Sequence, residues 1–147
     1  MQAFPHHYQV TARSTSAGKL ALSSEGLPNI EAAPPAEFDG PGDQWSPETL
    51  LLSAASACFV LSFRAVATAA KLDWESLECR TEGELDRVDR ITRFTRVTTH
   101  ASLVIENETD RDKAERLLEK AESICLIANS LNAAREIRGE IKVKLSI

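Results

Sequence analysis

The spacing of apolar residues in the first third of the chain is typical of short strands. Residues 7–13 and 19–23 alternate between apolar and polar, and Ser16-Ala17-Gly18 supplies a turn between them. A third short strand is expected at 28–32. The prolines and glycines of 34–42 then predict a loop without regular structure. We therefore expect this region to be a small sheet followed by a long loop.

A long apolar stretch predicts the central helix of the fold, from Pro47 to about Ala70. Ser46-Pro47-Glu48 has the features of a helix start: a capping hydroxyl, proline at the first helical position and an acid near the positive end of the helix dipole. No polar face is visible before Arg64, so we expect the helix to be buried on nearly all sides. A transmembrane span is the alternative, but the uncharged stretch is shorter than the ~20 residues a bilayer requires.

The second half of the chain returns to a period of two. Residues 76–88 and 92–106 predict two long strands joined by a turn at Asp89-Arg90, each with one wet face because the charges alternate. Residues 109–112 resemble a capping box, which opens an amphipathic helix that ends near Asn129. Residues 137–147 predict a last strand.

This order of elements predicts an α+β fold with a mainly antiparallel sheet, in a single domain over residues 1–147. A monomer of this size has difficulty surrounding one apolar helix completely. We therefore expect a homodimer whose interface includes the helix at 47–70.

Composition narrows the functional classes. The net charge of −5 argues against a nucleic-acid partner, and the basic residues are interleaved with acids. The first eight residues contain no basic stretch followed by an apolar run, so we expect a cytoplasmic protein. Three cysteines are a poor count for a disulfide framework and have no close metal spacing, so we expect neither a metal nor a bound cofactor.

The cysteines are the candidates for chemistry. Cys58 lies within the apolar helix, Cys125 at the end of the amphipathic helix, and Cys79 in a strand, where we treat it as structural. A buried cysteine is more often an inert small hydrophobe than a reactive group. Two thiols on two helices could instead pair, with one oxidised by a peroxide to a sulfenic acid and the other condensing with it to a disulfide.

A reactive Cys58 requires a group that lowers its pKa, because the thiolate is the nucleophile. Cys58 is far from the ends of its helix, so we expect an arginine beside it, held by a carboxylate. Glu48 is the candidate carboxylate, although ten residues of helix place it ~15 Å along the axis from Cys58. Glu48 would then act through a bridging arginine or on Cys58 of a partner subunit. A simple N-terminal acid is the alternative.

Two motifs resemble those of the osmotically inducible protein C and organic hydroperoxide resistance (OsmC/Ohr) family. The first is Ser46-Pro47-Glu48-Thr49-Leu50-Leu51 followed by Ala54-Ala55-Ser56-Ala57-Cys58-Phe59. The second is Ala121-Glu122-Ser123-Ile124-Cys125-Leu126-Ile127-Ala128-Asn129-Ser130. The resemblance covers nearly the whole chain, including the order of elements. It is to a less characterised branch of the family, because the loop carries Gln44-Trp45 where the peroxidases usually have Gly-Thr-Asn.

The resemblance implies an OsmC-like α+β fold, with mainly antiparallel sheets around a long buried helix, in an intertwined homodimer. It also implies a thiol-dependent peroxidase that reduces small organic or lipid hydroperoxides in oxidative stress defence. An external thiol or a lipoylated protein would then restore the dithiol. Carried over to this chain, Cys58 is the peroxidatic cysteine, Cys125 is the resolving cysteine and Glu48 is the carboxylate that orients an arginine.

The sequence departs from the family at that arginine. Glu37 stands at the matching place in the loop, and Ala17-Gly18-Lys19 stands near it in the early hairpin. Arg13 and Arg64 are the substitutes considered. The alternative function is therefore a non-catalytic dimer of the same fold that binds an apolar ligand or senses oxidation.

Overall fold

The computed structural model describes residues 1–146 and has the α+β composition that the sequence predicts. It divides into two compact units, Met1–Leu51 and a second that begins at Leu52. The expectation of a single domain over residues 1–147 stays a prediction.

The first unit contains a three-stranded antiparallel sheet. Its strands are β1 (Thr11–Arg13), β2 (Leu20–Ser23) and β3 (Ile30–Ala32), in that spatial order. β1 is shorter than the strand predicted at 7–13. The loop after β3 contains one 3-10 turn, Ala36–Phe38, so the prediction that it lacks all regular structure was wrong for these three residues.

The central helix, α1 (Pro47–Ala69), begins where the sequence predicts it. The backbone N–H of Thr49 donates to Ser46 Oγ at 3.1 Å, which confirms the capping hydroxyl. By length and composition α1 could cross a membrane, with a mean hydropathy of 1.9, but core helices of soluble proteins share that property. Only 28% of an apolar 18-residue stretch of α1 is buried within one chain. The prediction of burial on nearly all sides therefore does not hold for one chain.

The second unit contains the other three-stranded sheet. β4 (Trp74–Val88) and β5 (Ile91–Ile105) form a long antiparallel hairpin, and β6 (Ala134–Val143) runs parallel to β5. Asp89 and Arg90 have positive φ values of 52° and 67°, as the central residues of a type I′ turn require. The predicted hairpin turn is thus confirmed, whereas the last strand begins and ends earlier than predicted.

The core of the second unit lies on one face of this sheet. Phe59 and Phe63 of α1 pack there against Leu103 and Ile105 of β5, together with the apolar face of the next helix. Alternate residues of β5, namely Ala101, Leu103 and Ile105, belong to this core, and the intervening residues lie on the opposite face of the strand. Residues of α1, β5 and the amphipathic helix therefore share one hydrophobic core.

The amphipathic helix is broken in two near its end. α2 covers Arg111–Ile124 and α3 covers Leu126–Asn129, with Cys125 between them in an extended conformation (φ −62°, ψ 104°). The predicted capping box at 109–112 is wrong: its capping residue, Thr109, lies inside a 3-10 turn (Glu108–Asp110), and the helix is preceded by Asp110, which makes no side-chain cap. The break at Cys125 shapes the site described below.

Candidate active site

Cys58 is a half-buried residue in the middle of α1, and hydrogen-bond donors from two helices surround its sulfur. The Ser62 hydroxyl lies one turn further along α1. The other donors are the backbone N–H groups of Ile127 and Leu126 and the side chain of Cys125. Cys58 therefore faces the turn that joins α2 to α3.

Burial and these donors act in opposite directions on the pKa of Cys58. Burial acts to raise the pKa of the thiol, since a charged sulfur loses its hydration. The hydrogen bonds from Ile127, Cys125, Ser62 and Leu126 act in the opposite direction and prevail, so the pKa of Cys58 lies below its ordinary value. The arrangement favours the thiolate, which is the reactive form of cysteine.

Cys125 lies beside Cys58 and has the opposite tendency. It is almost fully buried, and its Sγ is 3.8 Å from the carbonyl oxygen of Ala55. Burial is the main cause that raises the pKa of Cys125 to about 11, with smaller contributions from its hydrogen bond to Cys58 and from the charges of Cys58 and Glu122, against a backbone hydrogen bond from Ala128. The pair thus combines one thiol whose pKa is lowered with one whose pKa is raised.

The break between α2 and α3 explains the donors at Cys58. The first N–H groups of any helix have no partner within it, and the extended Cys125 starts a new helix at Leu126. The apolar pattern predicts one unbroken helix here, and an unbroken helix would leave the N–H groups of Leu126 and Ile127 unavailable to Cys58. Ser62 could have been found, because a residue four positions after Cys58 lies on the same helical face.

The predicted carboxylate and arginines are not among the groups that most affect the Cys58 pKa. Glu48 lies in the first turn of α1, within the unit Met1–Leu51, and its Oε2 has no hydrogen-bond partner among residues 1–146. Arg13 and Arg64 are both exposed. The groups with the largest influence on the Cys58 pKa within the described residues include no arginine. The thiol is therefore surrounded mainly by neutral donors in this chain.

The third cysteine lies elsewhere on the core side of the sheet. Cys79 is half-buried in β4 and packs at the edge of the core, and its backbone carbonyl accepts a hydrogen bond from the Ser56 hydroxyl at 3.1 Å. Its sulfur lies 3.8 Å from the Thr81 hydroxyl. Residues 1–146 contain no cluster of three or more side chains suited to a metal ion.

The sequence profile described as OsmC-like protein matches residues 40–140, which is more than half of the chain. This chain belongs to the OsmC-like family. A relative in Bacillus subtilis, the uncharacterised protein YmaD, is 30% identical over 114 residues, which cover 76% of each chain. The predicted resemblance to a less characterised branch is consistent with that relative.

Solved structures of OsmC-like proteins share the fold. One from Vibrio cholerae, an OsmC-like protein of unknown function, has a TM-score of 0.85 at 18% identity and covers 92% of this chain and all of its own. An organic hydroperoxide resistance protein OsmC from Legionella pneumophila has a TM-score of 0.75 at 25% identity, covering 96% of this chain and all of its own. The predicted OsmC-like α+β fold is thereby confirmed, and the family includes proteins named for hydroperoxide resistance.

Proposed function

We propose that this OsmC-like protein is a thiol-dependent peroxidase that reduces organic hydroperoxides through Cys58 and Cys125. The observation that carries the proposal is the pairing of these two thiols with opposite pKa shifts. Relatives named organic hydroperoxide resistance proteins support the same class of substrate. The proposed setting is oxidative stress defence in the cytoplasm, without a nucleic-acid or membrane partner.

The proposed cycle has two steps. The Cys58 thiolate attacks the terminal oxygen of the hydroperoxide, the O–O bond breaks, and the alkoxide leaves as an alcohol after taking up one proton. Cys58 is now a sulfenic acid. The sulfur of Cys125 attacks the Cys58 sulfur, the S–S bond forms, and the hydroxyl leaves as water with the Cys125 proton. Two electrons from the dithiol have then reduced one hydroperoxide.

The cycle requires an external reductant. A small thiol or a lipoylated protein would attack the Cys58–Cys125 disulfide and return both cysteines to thiols by exchange. No bound cofactor takes part in this scheme. Glu48 is proposed to orient an arginine toward Cys58, which would stabilise the thiolate beyond the neutral donors.

A homodimer is part of the proposal. On α1, Ala54, Ala57 and Ala65 are exposed together with Leu61, which is 58% exposed. Leu126, whose N–H group faces Cys58, is 66% exposed. A second copy of the chain would cover such an apolar surface next to the thiols. Light scattering is expected to give twice the chain mass, and the exchange Leu61→Glu is expected to weaken the dimer.

The decisive experiment counts thiols. The chain has three free cysteines, at 58, 79 and 125. One equivalent of cumene hydroperoxide is expected to consume two thiols in the reduced wild type and in Cys79→Ser. It should consume none in Cys58→Ser, and only the Cys58 thiol in Cys125→Ser. Unchanged thiols in the wild type would refute the peroxidase.

A non-catalytic dimer that binds an apolar ligand or senses oxidation is the second candidate. The observation in its favour is that the main groups that lower the Cys58 pKa within the described residues are neutral donors and include no arginine. Alkylation of Cys58 across pH separates the two functions. A midpoint at or above ~8.5, the value of an unperturbed thiol, would favour binding or sensing over catalysis.

A further inference from the structure

We propose that Arg135 and Glu122 together hold the turn at 122–129 against Cys58, and that Arg135 is a positioning residue of the thiol site. The inference rests on the proposed function of Cys58 and Cys125. It extends that function to a side chain of β6 that touches neither sulfur.

Arg135 uses its guanidinium to bind both ends of the turn. Its Nε donates to Glu122 Oε1 at 2.9 Å, and one terminal nitrogen donates to the Glu122 backbone carbonyl. The other terminal nitrogen donates to Asn129 Oδ1 at 2.6 Å. Glu122 lies near the end of α2 and Asn129 ends α3, so one side chain spans the break at Cys125. A planar group with several donors suits this bridging role better than an ammonium group.

Other contacts of the turn support the same geometry. Asn129 Nδ2 donates to the Ser123 carbonyl at 3.1 Å, which closes the turn on itself. The buried Thr99 hydroxyl of β5 lies 3.5 Å from Glu122 Oε2, so both carboxylate oxygens have a donor nearby. The turn is thereby attached to two strands of the sheet.

Burial distinguishes this ion pair from the others among residues 1–146. The side chains of Arg135 and Glu122 are 26% and 14% exposed, whereas in every other ion pair of the described residues at least one side chain is 48% or more exposed. A pair shielded from water holds its geometry more firmly than an exposed pair. A neighbouring arginine of the same strand, Arg138, is 62% exposed and pairs with Glu136 instead.

The turn that Arg135 binds contains the groups that contact Cys58. Cys125 and the N–H groups of Leu126 and Ile127 lie between the two residues that Arg135 binds. A turn released at Glu122 and Asn129 would move these donors and the Cys125 sulfur relative to Cys58. Small displacements of reacting groups reduce rates steeply.

The test uses the full chain with Arg135→Met, Arg135→Lys and the matched control Arg138→Met. Peptide mass spectrometry after iodoacetamide alkylation gives the Cys58 pKa, and diamide oxidation gives the rate of Cys58–Cys125 disulfide formation without any peroxide. In Arg135→Met we expect the Cys58 midpoint to rise by about one unit. We expect disulfide formation to slow by about tenfold to a hundredfold. Arg135→Lys should recover part of both effects, and Arg138→Met should match the wild type.

Equal Cys58 midpoints and equal diamide rates in Arg135→Met and wild type would overturn the inference. If circular dichroism shows that Arg135→Met is unfolded, Asn129→Ala takes its place, since it removes one acceptor of Arg135 and leaves the ion pair intact. Diamide separates the two proposals. A wild type that forms the disulfide with diamide but ignores cumene hydroperoxide refutes the peroxidase while leaving the role of Arg135 to be decided by its variants.

Discussion

Cys58 and Cys79 are both half-buried cysteines of the unit that begins at Leu52, yet their surroundings differ. Four donors act on the Cys58 sulfur, one from α1, two from α3 and one from Cys125 in the break before α3, and they lower its pKa in spite of burial. The Cys79 sulfur lies 3.8 Å from one hydroxyl, that of Thr81. Burial alone would rank the two thiols equally. The difference between them therefore comes from the hydrogen-bond donors that the fold brings to each sulfur.

Removing each sulfur in turn is the strongest test of the difference between Cys58 and Cys79. Cys58→Ser is expected to lower kcat/KM for cumene hydroperoxide by at least about a thousandfold, since it removes the nucleophile. Cys79→Ser is expected to leave kcat/KM within about twofold of the wild type, because its sulfur takes no part in the proposed cycle. Steady-state peroxide consumption with dithiothreitol as the reductant measures both. Equal losses in the two variants would contradict the assignment.

Phe59→Ala tests whether the difference between the thiols is local. The Phe59 side chain follows Cys58 in sequence and is fully buried in the core. Its truncation is expected to reduce the free energy of unfolding by about 3–5 kcal/mol, measured by urea denaturation. The exposed Phe38 is the control, and Phe38→Ala should change stability by less than about 0.5 kcal/mol.

The folded fraction of Phe59→Ala should still alkylate Cys58 faster than Cys79. If this preference disappears while the chain remains folded, the donors at Cys58 depend on the whole core and not on the turn at 122–129.

The pH dependence of alkylation compares the pKa values of Cys58 and Cys125 directly. The hydrogen bonds from Ile127, Cys125, Ser62 and Leu126 outweigh burial and place the Cys58 pKa below its ordinary value. Its thiolate therefore persists to lower pH, and iodoacetamide reactivity should decline only as the pH falls through that lowered pKa. Cys125, with a pKa raised to about 11 by burial, should gain reactivity only as the pH approaches that value.

Denaturant provides the control for this measurement. In urea both midpoints should converge on the value of an unperturbed thiol, ~8.5. Coincident midpoints in the native protein would contradict the opposite shifts of the two cysteines.

Two serines of α1 offer the finest test. The Ser62 hydroxyl hydrogen-bonds to the Cys58 sulfur, whereas the Ser56 hydroxyl donates to the Cys79 carbonyl at 3.1 Å. Ser62→Ala should raise the Cys58 midpoint by about one unit, the effect of one lost hydrogen bond to a charged group. Ser56→Ala should leave that midpoint unchanged and reduce stability by about 0.5–1.5 kcal/mol. A Cys58 shift in Ser56→Ala alone would reverse the assignment of the two hydroxyls.

Much of the fold follows from local patterns in the sequence. The helix start at Ser46, the hairpin turn at Asp89-Arg90 and the alternation of β4 and β5 each depend on neighbouring residues, so the sequence predicts them. The predicted end of the amphipathic helix near Asn129 coincides with the end of α3, but the break at Cys125 was not predicted. The apolar residues Leu126 and Ile127 continue a helical pattern, and nothing local indicates that Cys125 is extended.

The sequence by itself identified Cys58 and Cys125 as the candidate pair and predicted the OsmC-like fold around them. The groups that surround the Cys58 sulfur follow from the tertiary structure and could not be read from residue spacing. The N–H groups of Leu126 and Ile127 are separated from Cys58 by more than sixty residues of chain, and they reach it because α1 and α2 pack on one face of the same sheet. Long-range packing, and not residue spacing, therefore determines which donors surround the Cys58 sulfur.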